Sequence, residues 1–142
     1  MTALKDLLLK EGIELDETGY AGVAAKGLFV NLQCDAAGES LYLYCSVAKL
    51  SDPVPQKIVR EILRSGLLGL GTDGGHLGLH EATRLLVYSL RLDIASLNET
   101  VFRNALESFT GRALGYIEKW NKAEAPIELP LPDMFSGGVV WG

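Results

Sequence analysis

The stretch LFVNLQCDAAGESLYLYCSVAK, residues 28–49, decides the fold. Two runs with an apolar residue at every second position flank DAAGES, a group of small and polar residues that is typical of a turn. The pattern predicts two antiparallel strands joined at residues 36–39. The hairpin then carries two inward-facing sets of side chains, Leu28, Val30, Leu32 and Cys34 on its first strand and Leu41, Leu43, Cys45 and Val47 on its second.

The register of this hairpin bears on the two cysteines of the chain. Pairing Cys34 with Leu41 across the turn places Cys45 opposite Val30. The two sulfur atoms are then about 13 Å apart at the usual rise of a strand. A disulfide cannot span that distance. We therefore expect two buried thiols that are not bridged to each other, which fits a reducing cytosol.

The segments around the hairpin predict the order helix, three strands, helix, two strands, helix, an α+β fold in one domain over residues 1–120. Proline and apolar residues dominate the remaining segment, 121–142, which is predicted to be an extended tail. The other predicted elements are a helix over 3–11, a strand YAGVAA from Tyr20, a helix over about 55–65, strands over about 76–80 and 84–94, and a long helix whose capping box is Ser96 with Glu99.

Composition excludes two classes of partner. The formal charge is −5, with thirteen Lys and Arg scattered among eighteen Asp and Glu, whereas nucleic-acid binders cluster their basic residues. The start, MTALKDLLLKEG, has charges among its leucines and no signal-peptide cleavage site. No apolar run approaches the roughly 18 residues that a membrane span requires. The sequence thus predicts a cytoplasmic protein that binds neither nucleic acid nor membrane.

The glycine-rich stretch GLGTDGGHLGLH, residues 69–80, imitates a catalytic motif. Its G-x-G-x-x-G pattern would bind a dinucleotide only with a strand before the glycines and a helix after them, and the predicted order is the reverse. On a strand, His76 and His80 lie about 13 Å apart, too far to share one metal ion. The glycines are therefore interpreted as turn residues. We predict no catalytic residue, metal or cofactor.

The span from about Ala3 to Trp120 resembles the class I chaperones of bacterial type III secretion, the CesT/SycE-type (Tir chaperone) family. Three stretches carry the resemblance together with the leucine-rich first helix: LFVNLQCDAAGESLYLYCSVAKLSDP, VREILRSGLLGLGTDGGHLGLHEATRLLVYSLRLD and LNETVFRNALESF. The tail after Trp120 departs from the family pattern in its proline and apolar content, and its function stays open.

The resemblance implies a sandwich of helices on a strongly twisted antiparallel sheet, a homodimer and a non-enzymatic role. Such chaperones bind the N-terminal segment of a secreted effector in extended, unfolded form and keep it secretion-competent without ATP. It further implies a secretion-system ATPase or a secretion regulator as a possible additional partner, and a bacterial cytoplasmic location.

Residue physics favours the same role. Extended peptides are held by strand addition at a sheet edge and by apolar pockets for alternate side chains. This chain has more apolar faces than one core needs, including a late strand that is apolar on both sides. We predict a cargo groove at Leu4, Leu7, Leu8, Leu28, Phe29, Val30 and Tyr42. We predict a dimer interface at Ile62, Leu67, Leu68, Leu77, Leu79, Leu86, Tyr88 and Leu90.

Two alternatives stay open at this point. One is a regulatory protein on the same scaffold that sequesters a secretion regulator. The other is a small ligand-binding or enzymatic domain that uses the strand of His76 and His80. A separate hypothesis concerns the tail, with two alternatives: it occupies the groove of its own chain or of a neighbour when no effector is bound, or it is plainly disordered. The first rests on apolar residues like those of a cargo, Ile127, Leu129, Leu131, Phe135, Val139, Val140 and Trp141.

Overall fold

The computed structural model describes residues 2–120, and within them the predicted order of elements is confirmed. None of the helices in this part of the chain is long and apolar enough to cross a membrane. The elements are α1 (Thr2–Lys10), β1 (Tyr20–Ala25), β2 (Leu28–Cys34), β3 (Ser40–Lys49), α2 (Gln56–Ser65), β4 (His76–His80), β5 (Leu85–Asp93) and α3 (Glu99–Trp120), with 3₁₀ turns at Leu67–Thr72 and Ile94–Ser96.

The five strands form one antiparallel sheet in the order β1-β2-β3-β5-β4. Cys34 pairs with Leu41 across the first hairpin, as predicted. Cys45 pairs with Tyr88 on its other side, and the two cysteines form no disulfide. Because β5 returns to lie against β3, strands β1 and β4 are the two edges of the sheet that residues 2–120 form.

One face of the sheet, here called the inner face, packs against the helices. Both inward-facing sets of the hairpin are confirmed, because every member is at most 4% exposed. Leu4 and Leu8 of α1 enter the same core from one element, and Phe102 and Phe109 of α3 enter it from another. Helix-on-sheet burial of this kind supplies the main hydrophobic stabilisation of the domain.

The opposite face, here called the outer face, holds a second and smaller cluster. Leu85 and Val87 of β5 lie there with Tyr44 of β3, while Leu86 and Tyr88 point to the inner core. The prediction that the late strand is apolar on both sides is therefore confirmed.

Helix α3 differs from its prediction in two details. Asn98 is its N-cap, since the side-chain Oδ1 accepts a hydrogen bond from the backbone N–H of Val101 at 2.9 Å. Ser96 instead ends a 3₁₀ turn and bonds Asp93, so the predicted capping box is wrong. The sequence pattern also predicts one apolar stripe through Leu97, Val101, Ala105, Phe109, Ala113, Ile117 and Trp120, but Val101 is 42% exposed. A strict four-residue spacing drifts around a helix of 3.6 residues per turn, and the buried stripe follows Phe102, Phe109, Ala113 and Tyr116.

The glycine-rich stretch turns the chain from α2 into β4. Gly69 and Gly74 have φ of 70° and 81°, in the left-handed region that favours glycine. A Cβ at Gly75 would lie 2.5 Å from the carbonyl oxygen of Ser89 and 2.7 Å from the ring of Tyr88. The Tyr88 hydroxyl also donates a hydrogen bond to the carbonyl of Thr72 at 2.7 Å. These contacts support the interpretation that the glycines are conformational.

Replacing Gly75 tests that interpretation, with Gly78 on the same segment as the matched control. Gly75→Ala is expected to lower the free energy of unfolding by about 1–3 kcal/mol, because the new methyl group meets the backbone of β5. Gly78→Ala has open space around its Cβ, so we expect a change of no more than about 0.5 kcal/mol. Urea unfolding followed by circular dichroism measures both. Equal effects of the two substitutions would contradict the close approach at Gly75.

Candidate functional site

An apolar surface lies along α2, the Leu67–Thr72 turn and β4. It is called the leucine surface here, and it contains most of the exposed large apolar side chains of residues 2–120. A monomeric protein rarely leaves a patch of this kind uncovered. Its members, with their exposed fractions, are Val59 (40%), Leu63 (73%), Leu67 (66%), Leu68 (86%), Leu70 (76%) and Leu79 (41%).

Helix α2 presents an apolar stripe but buries little of it. Ile58, Val59, Ile62 and Leu63 recur at helical spacing, yet no residue of the helix is fully buried. Between α2 and the sheet lies an apolar cavity of about 180 Å³. The residues that line it are Leu50, Val54, Val59, Ile62, Leu63, Leu77, Gly78, Leu79 and Leu86. A helix with a clear stripe and an open apolar cavity beneath it is shaped to receive further apolar side chains.

Leu68 is the most exposed member of the leucine surface. Its φ of 54° and ψ of 18° interrupt the 3₁₀ turn, and Gly69 follows in the same left-handed region. A leucine rarely adopts this conformation, since its Cβ approaches the backbone too closely. The turn therefore holds a large apolar side chain away from its own core.

The predicted dimer residues divide into three groups. Leu67, Leu68 and Leu79 belong to the leucine surface, and Ile62 and Leu77 line the apolar cavity. Leu90 is partly buried and packs on the inner core. Leu86 and Tyr88 are each 1% exposed within the same chain, so they are not available to a second copy in this conformation. Sequence reasoning missed Val59, Leu63 and Leu70, although the four-residue spacing of the first two was a visible signal.

The predicted cargo residues are not brought together. Leu4, Leu8, Leu28 and Val30 lie in the inner core and are at most 3% exposed. Leu7 is partly buried against that core. Phe29 and Tyr42 lie partly exposed on the outer face. The members that a second chain can reach are therefore Leu7, Phe29 and Tyr42.

The edge strand β1 was not singled out as a site in the sequence. It pairs with β2 on one side, and no other described strand follows it at that edge of the sheet. Its sequence YAGVAA contains no charged residue, although protected edges usually carry charges or proline. The ring of Phe29 lies over Gly22, where a Cβ would come within 2.3 Å of it. At Tyr20 both backbone groups already bond Asp16, the N–H to its carboxylate at 3.0 Å and the carbonyl to its N–H at 2.9 Å. The open part of this edge therefore begins after Tyr20, where Gly22 lies beside the aromatic ring.

The titratable groups of the core are poor nucleophiles. Burial raises the pKa of the Cys45 thiol to about 12. Burial, with a smaller contribution from the charge of Asp35, raises the pKa of Cys34. Burial likewise raises the pKa of the Tyr88 hydroxyl. Reactive thiols need the opposite shift, because the thiolate is the nucleophile.

The two histidines lie on β4, and the register gives them the same face of the sheet. The Nδ1 atom of His80 lies 2.7 Å from the hydroxyl of Thr83. Within residues 2–120 there is no group of three or more His, Cys, Asp and Glu that could hold a metal ion.

Polar contacts fix α2 against α3. The indole N–H of Trp120 donates to a carboxylate oxygen of Glu61 at 3.0 Å, and the Lys119 ammonium lies 3.4 Å from the same oxygen. The Trp120 hydrogen bond is the main cause of a lowered pKa at Glu61. Trp120 also stacks on Tyr116, whose ring meets Tyr88 in the core. This chain of contacts holds the leucine surface in place relative to the sheet.

Comparisons with known proteins bear on the family and the fold of this chain. The model of the Tir chaperone protein (CesT) family matches residues 2–116. The crystal structure of the ExsC–ExsE complex is similar, with a TM-score of 0.72 and 21% identity, covering 87% of this chain and 97% of that chain. At this identity the likeness shows the fold.

Two further solved structures are similar to this chain. The heterodimeric complex ExoU–SpcU from the type III secretion system of Pseudomonas aeruginosa has a TM-score of 0.65 and 10% identity, covering 84% of this chain and 99% of that chain. The Yersinia pestis type III secretion chaperone SycH, in complex with a fragment of YscM2, has a TM-score of 0.62 and 19% identity, with coverage of 81% and 97%. No curated protein matches the chain.

Thiol labelling tests the buried state of the cysteines. At pH 8, a pKa of about 12 leaves about one part in ten thousand of Cys45 as thiolate. We expect the native protein to react with a thiol reagent more than about 100-fold more slowly than the urea-unfolded chain, in which both thiols regain an ordinary pKa. The unfolded chain should approach its maximal rate near pH 9, whereas the native rate should still rise there. A native profile that levels off near pH 9 would contradict the pKa given for Cys45.

Proposed function

We propose, because this chain belongs to the Tir chaperone protein (CesT) family, that it acts in the bacterial cytoplasm as a homodimer that holds the N-terminal segment of a secreted effector in extended form. The family is one of non-enzymatic chaperones of type III secretion. The dimer, the extended state of the effector, the independence from ATP and the location are our inferences.

The leucine surface supports the dimer. Symmetric association of two copies buries the same patch on each of them. Leu68 stands out from one copy, and the apolar cavity between α2 and the sheet offers a place for such a side chain on the other. Each leucine that leaves water in this way contributes about 1.5–3 kcal/mol. We therefore assign the interface to the leucine surface with Ile62 and Leu77, and not to the buried Leu86 and Tyr88.

The open edge at β1 is the observation that carries the cargo proposal. An extended segment of an effector adds to β1 beyond Tyr20 as a further strand and satisfies the backbone groups left open there. Its side chains alternate between the two faces of the sheet, and those on the outer side meet Phe29 and Tyr42. Leu7 offers a contact on the helical side. Main-chain hydrogen bonds make such binding tolerant of sequence and independent of nucleotide.

The two edges of the sheet take different roles in this proposal. Strand β4 belongs to the leucine surface and faces a second copy, while β1 lies at the other end of the sheet. A dimer thus leaves two β1 edges free, one on each protomer.

Several similar structures contain a bound partner. ExsC is bound to ExsE, SpcU to ExoU and SchA to the effector HopA1 in a chaperone–effector complex, the last with a TM-score of 0.58 and 22% identity, covering 86% of this chain and 92% of that chain. These complexes support the proposal that this fold binds a second polypeptide here as well.

The dimer proposal is tested by Leu68→Asp. A carboxylate in an apolar contact is expected to weaken dimerisation at least about 100-fold, measured by sedimentation equilibrium. The monomer should stay folded, since Leu68 is 86% exposed and aspartate accepts a left-handed backbone more readily. Leu9→Asp is the matched control, because Leu9 is exposed on α1, outside the leucine surface. Unchanged dimerisation of Leu68→Asp, or a monomeric parent chain, would rule out this interface.

The cargo proposal is tested with the N-terminal segment of a secreted protein encoded beside this gene. Limited proteolysis of the complex identifies the protected stretch, which is then synthesised with N-methyl groups on alternate backbone amides in two registers. An added edge strand bonds through every second residue. One register should therefore bind at least about 100-fold more weakly than the other by calorimetry. Equal binding of the two peptides would argue against strand addition, and capture of a secretion regulator in place of an effector would favour the regulatory alternative.

A further inference from the structure

The outer face of the sheet is too well buried for the elements that the structure places near it. Asn31 is 0% exposed, Ser46 6%, Leu85 6% and Val87 7%. The register puts all four on this face. Yet α1, α2 and α3 contribute side chains to the inner core, and the cluster on the outer face contains strand residues alone within the described chain. Side chains on an open sheet face keep part of their surface in water, so a further layer is needed here.

Gln33 indicates the chemistry of that layer. Its side chain is on the outer face and 3% exposed. The amide nitrogen donates to the carbonyls of Thr18 and Cys34, each at 3.0 Å. The Oε1 atom accepts no hydrogen bond from residues 2–120. A buried acceptor left in this state costs about 1–3 kcal/mol, so the cover must bring donors, as a peptide backbone does.

The charged residues of the outer face indicate the net charge of the polypeptide that covers it. By register, its charged positions besides the histidines are Lys49, Arg91 and, at the end of β5, Asp93. The face is therefore more basic than the chain as a whole, whose formal charge is −5. An acidic apolar polypeptide is the best complement to such a surface.

The chain itself contains a segment of this chemistry, residues 121–142. It carries Lys122 against Glu124, Glu128 and Asp133, a net charge of 1 − 3 = −2. It contains eight large apolar residues, and Ile127, Leu129 and Leu131 alternate as a chain lying on a sheet requires. From Trp120, which Glu61 fixes beside α2, these 22 residues reach up to about 70 Å when extended. A domain of this size has a radius of gyration of about 14 Å, so the outer face is within reach.

We propose that residues 121–142 pack on the outer face of their own sheet and cover Leu85, Val87 and Ser46. The segment supplies apolar side chains to this surface, an N–H donor to Gln33 and carboxylates to Lys49 and Arg91. The sequence predicts as one alternative that the tail occupies a groove, and this inference places it on the outer face. It does not depend on the chaperone function. The prediction itself concerns residues outside those that the structure describes.

Cysteine labelling in the full-length chain tests the proposal. Ser46→Cys is a nearly isosteric reporter on the outer face, and Val87→Cys is a second one in case the first disturbs the fold. Cys34 and Cys45 are buried, so they give a low background. Ala37→Cys, at an exposed position in the turn between β2 and β3, shows the rate of an uncovered thiol. Both reporters should be labelled at least about 10-fold more slowly than Ala37→Cys.

Substitutions at apolar positions of residues 121–142 then remove the proposed cover without shortening the chain. Ile127→Asp, Leu129→Asp and Leu131→Asp together should raise labelling of the Ser46→Cys reporter at least about 10-fold. The matched control adds the same charge at small residues of the segment, Ala123→Asp, Ala125→Asp and Ser136→Asp, and should raise it far less. Circular dichroism confirms that each variant is folded.

Three results would overturn the proposal. The first is rapid labelling of both reporters in the otherwise unmodified chain, which means that nothing covers the face. The second is protection that persists in the chain with three apolar positions replaced. The third is protection that is lost on dilution, which assigns the cover to a second copy. None of these measurements involves an effector, so a failure here is separate from a failure of the cargo proposal.

Discussion

A strand with apolar side chains on both faces must be covered on both sides, and β5 sets this requirement for the whole molecule. Leu86 and Tyr88 need a layer on the inner face, while Leu85 and Val87 need one on the outer face. The inner layer is built from α1 and α3, with Phe109 stacked on Tyr88 at a centroid distance of 4.9 Å. Because β5 also joins the hairpin to β4, the same strand fixes which edges and faces remain for other chains.

The helices cover the inner face unevenly, and the gap produces the candidate site. Helix α3 runs across the sheet, and its C-terminal end holds α2 through Glu61. Helix α2 is thereby fixed in position and still leaves its apolar stripe open. The turn after it holds Leu68 outward in a conformation that leucine rarely adopts. The domain therefore offers a partner an uncovered apolar surface on a helix that is fixed in position, and not a reactive group.

Sequence reasoning recovered the parts of the fold that local periodicity controls. The hairpin register and the strands follow from side chains that alternate every two residues, and the helices follow from apolar residues at helical spacing. Apolar residues at successive positions of β5 show its two-sided character. The failures at the candidate site share one cause, since periodicity shows that a face is apolar and leaves open what covers it. Leu86 and Leu68 read alike as leucines in apolar stretches of the sequence, yet one is 1% exposed and the other 86%. Strand β1 is a candidate site for cargo because it lacks charged residues and lies at an edge of the sheet. Its place at that edge depends on the pairing of β3 with β5.

The outer face connects the two proposals that concern other segments of polypeptide. Phe29 and Tyr42, which we assign to cargo, share this face with Leu85 and Val87, which we assign to residues 121–142. The effector segment and residues 121–142 then both contact the outer face. Where they contact the same residues, one segment displaces the other. A tethered segment has a high effective concentration, so a free chain must contribute contacts that the tether lacks. The hydrogen bonds along the β1 edge are such contacts, because a segment lying across the sheet face does not use them. Hydrogen bonding along the β1 edge thus favours binding of an incoming effector. Until that effector arrives, the outer face favours binding of residues 121–142.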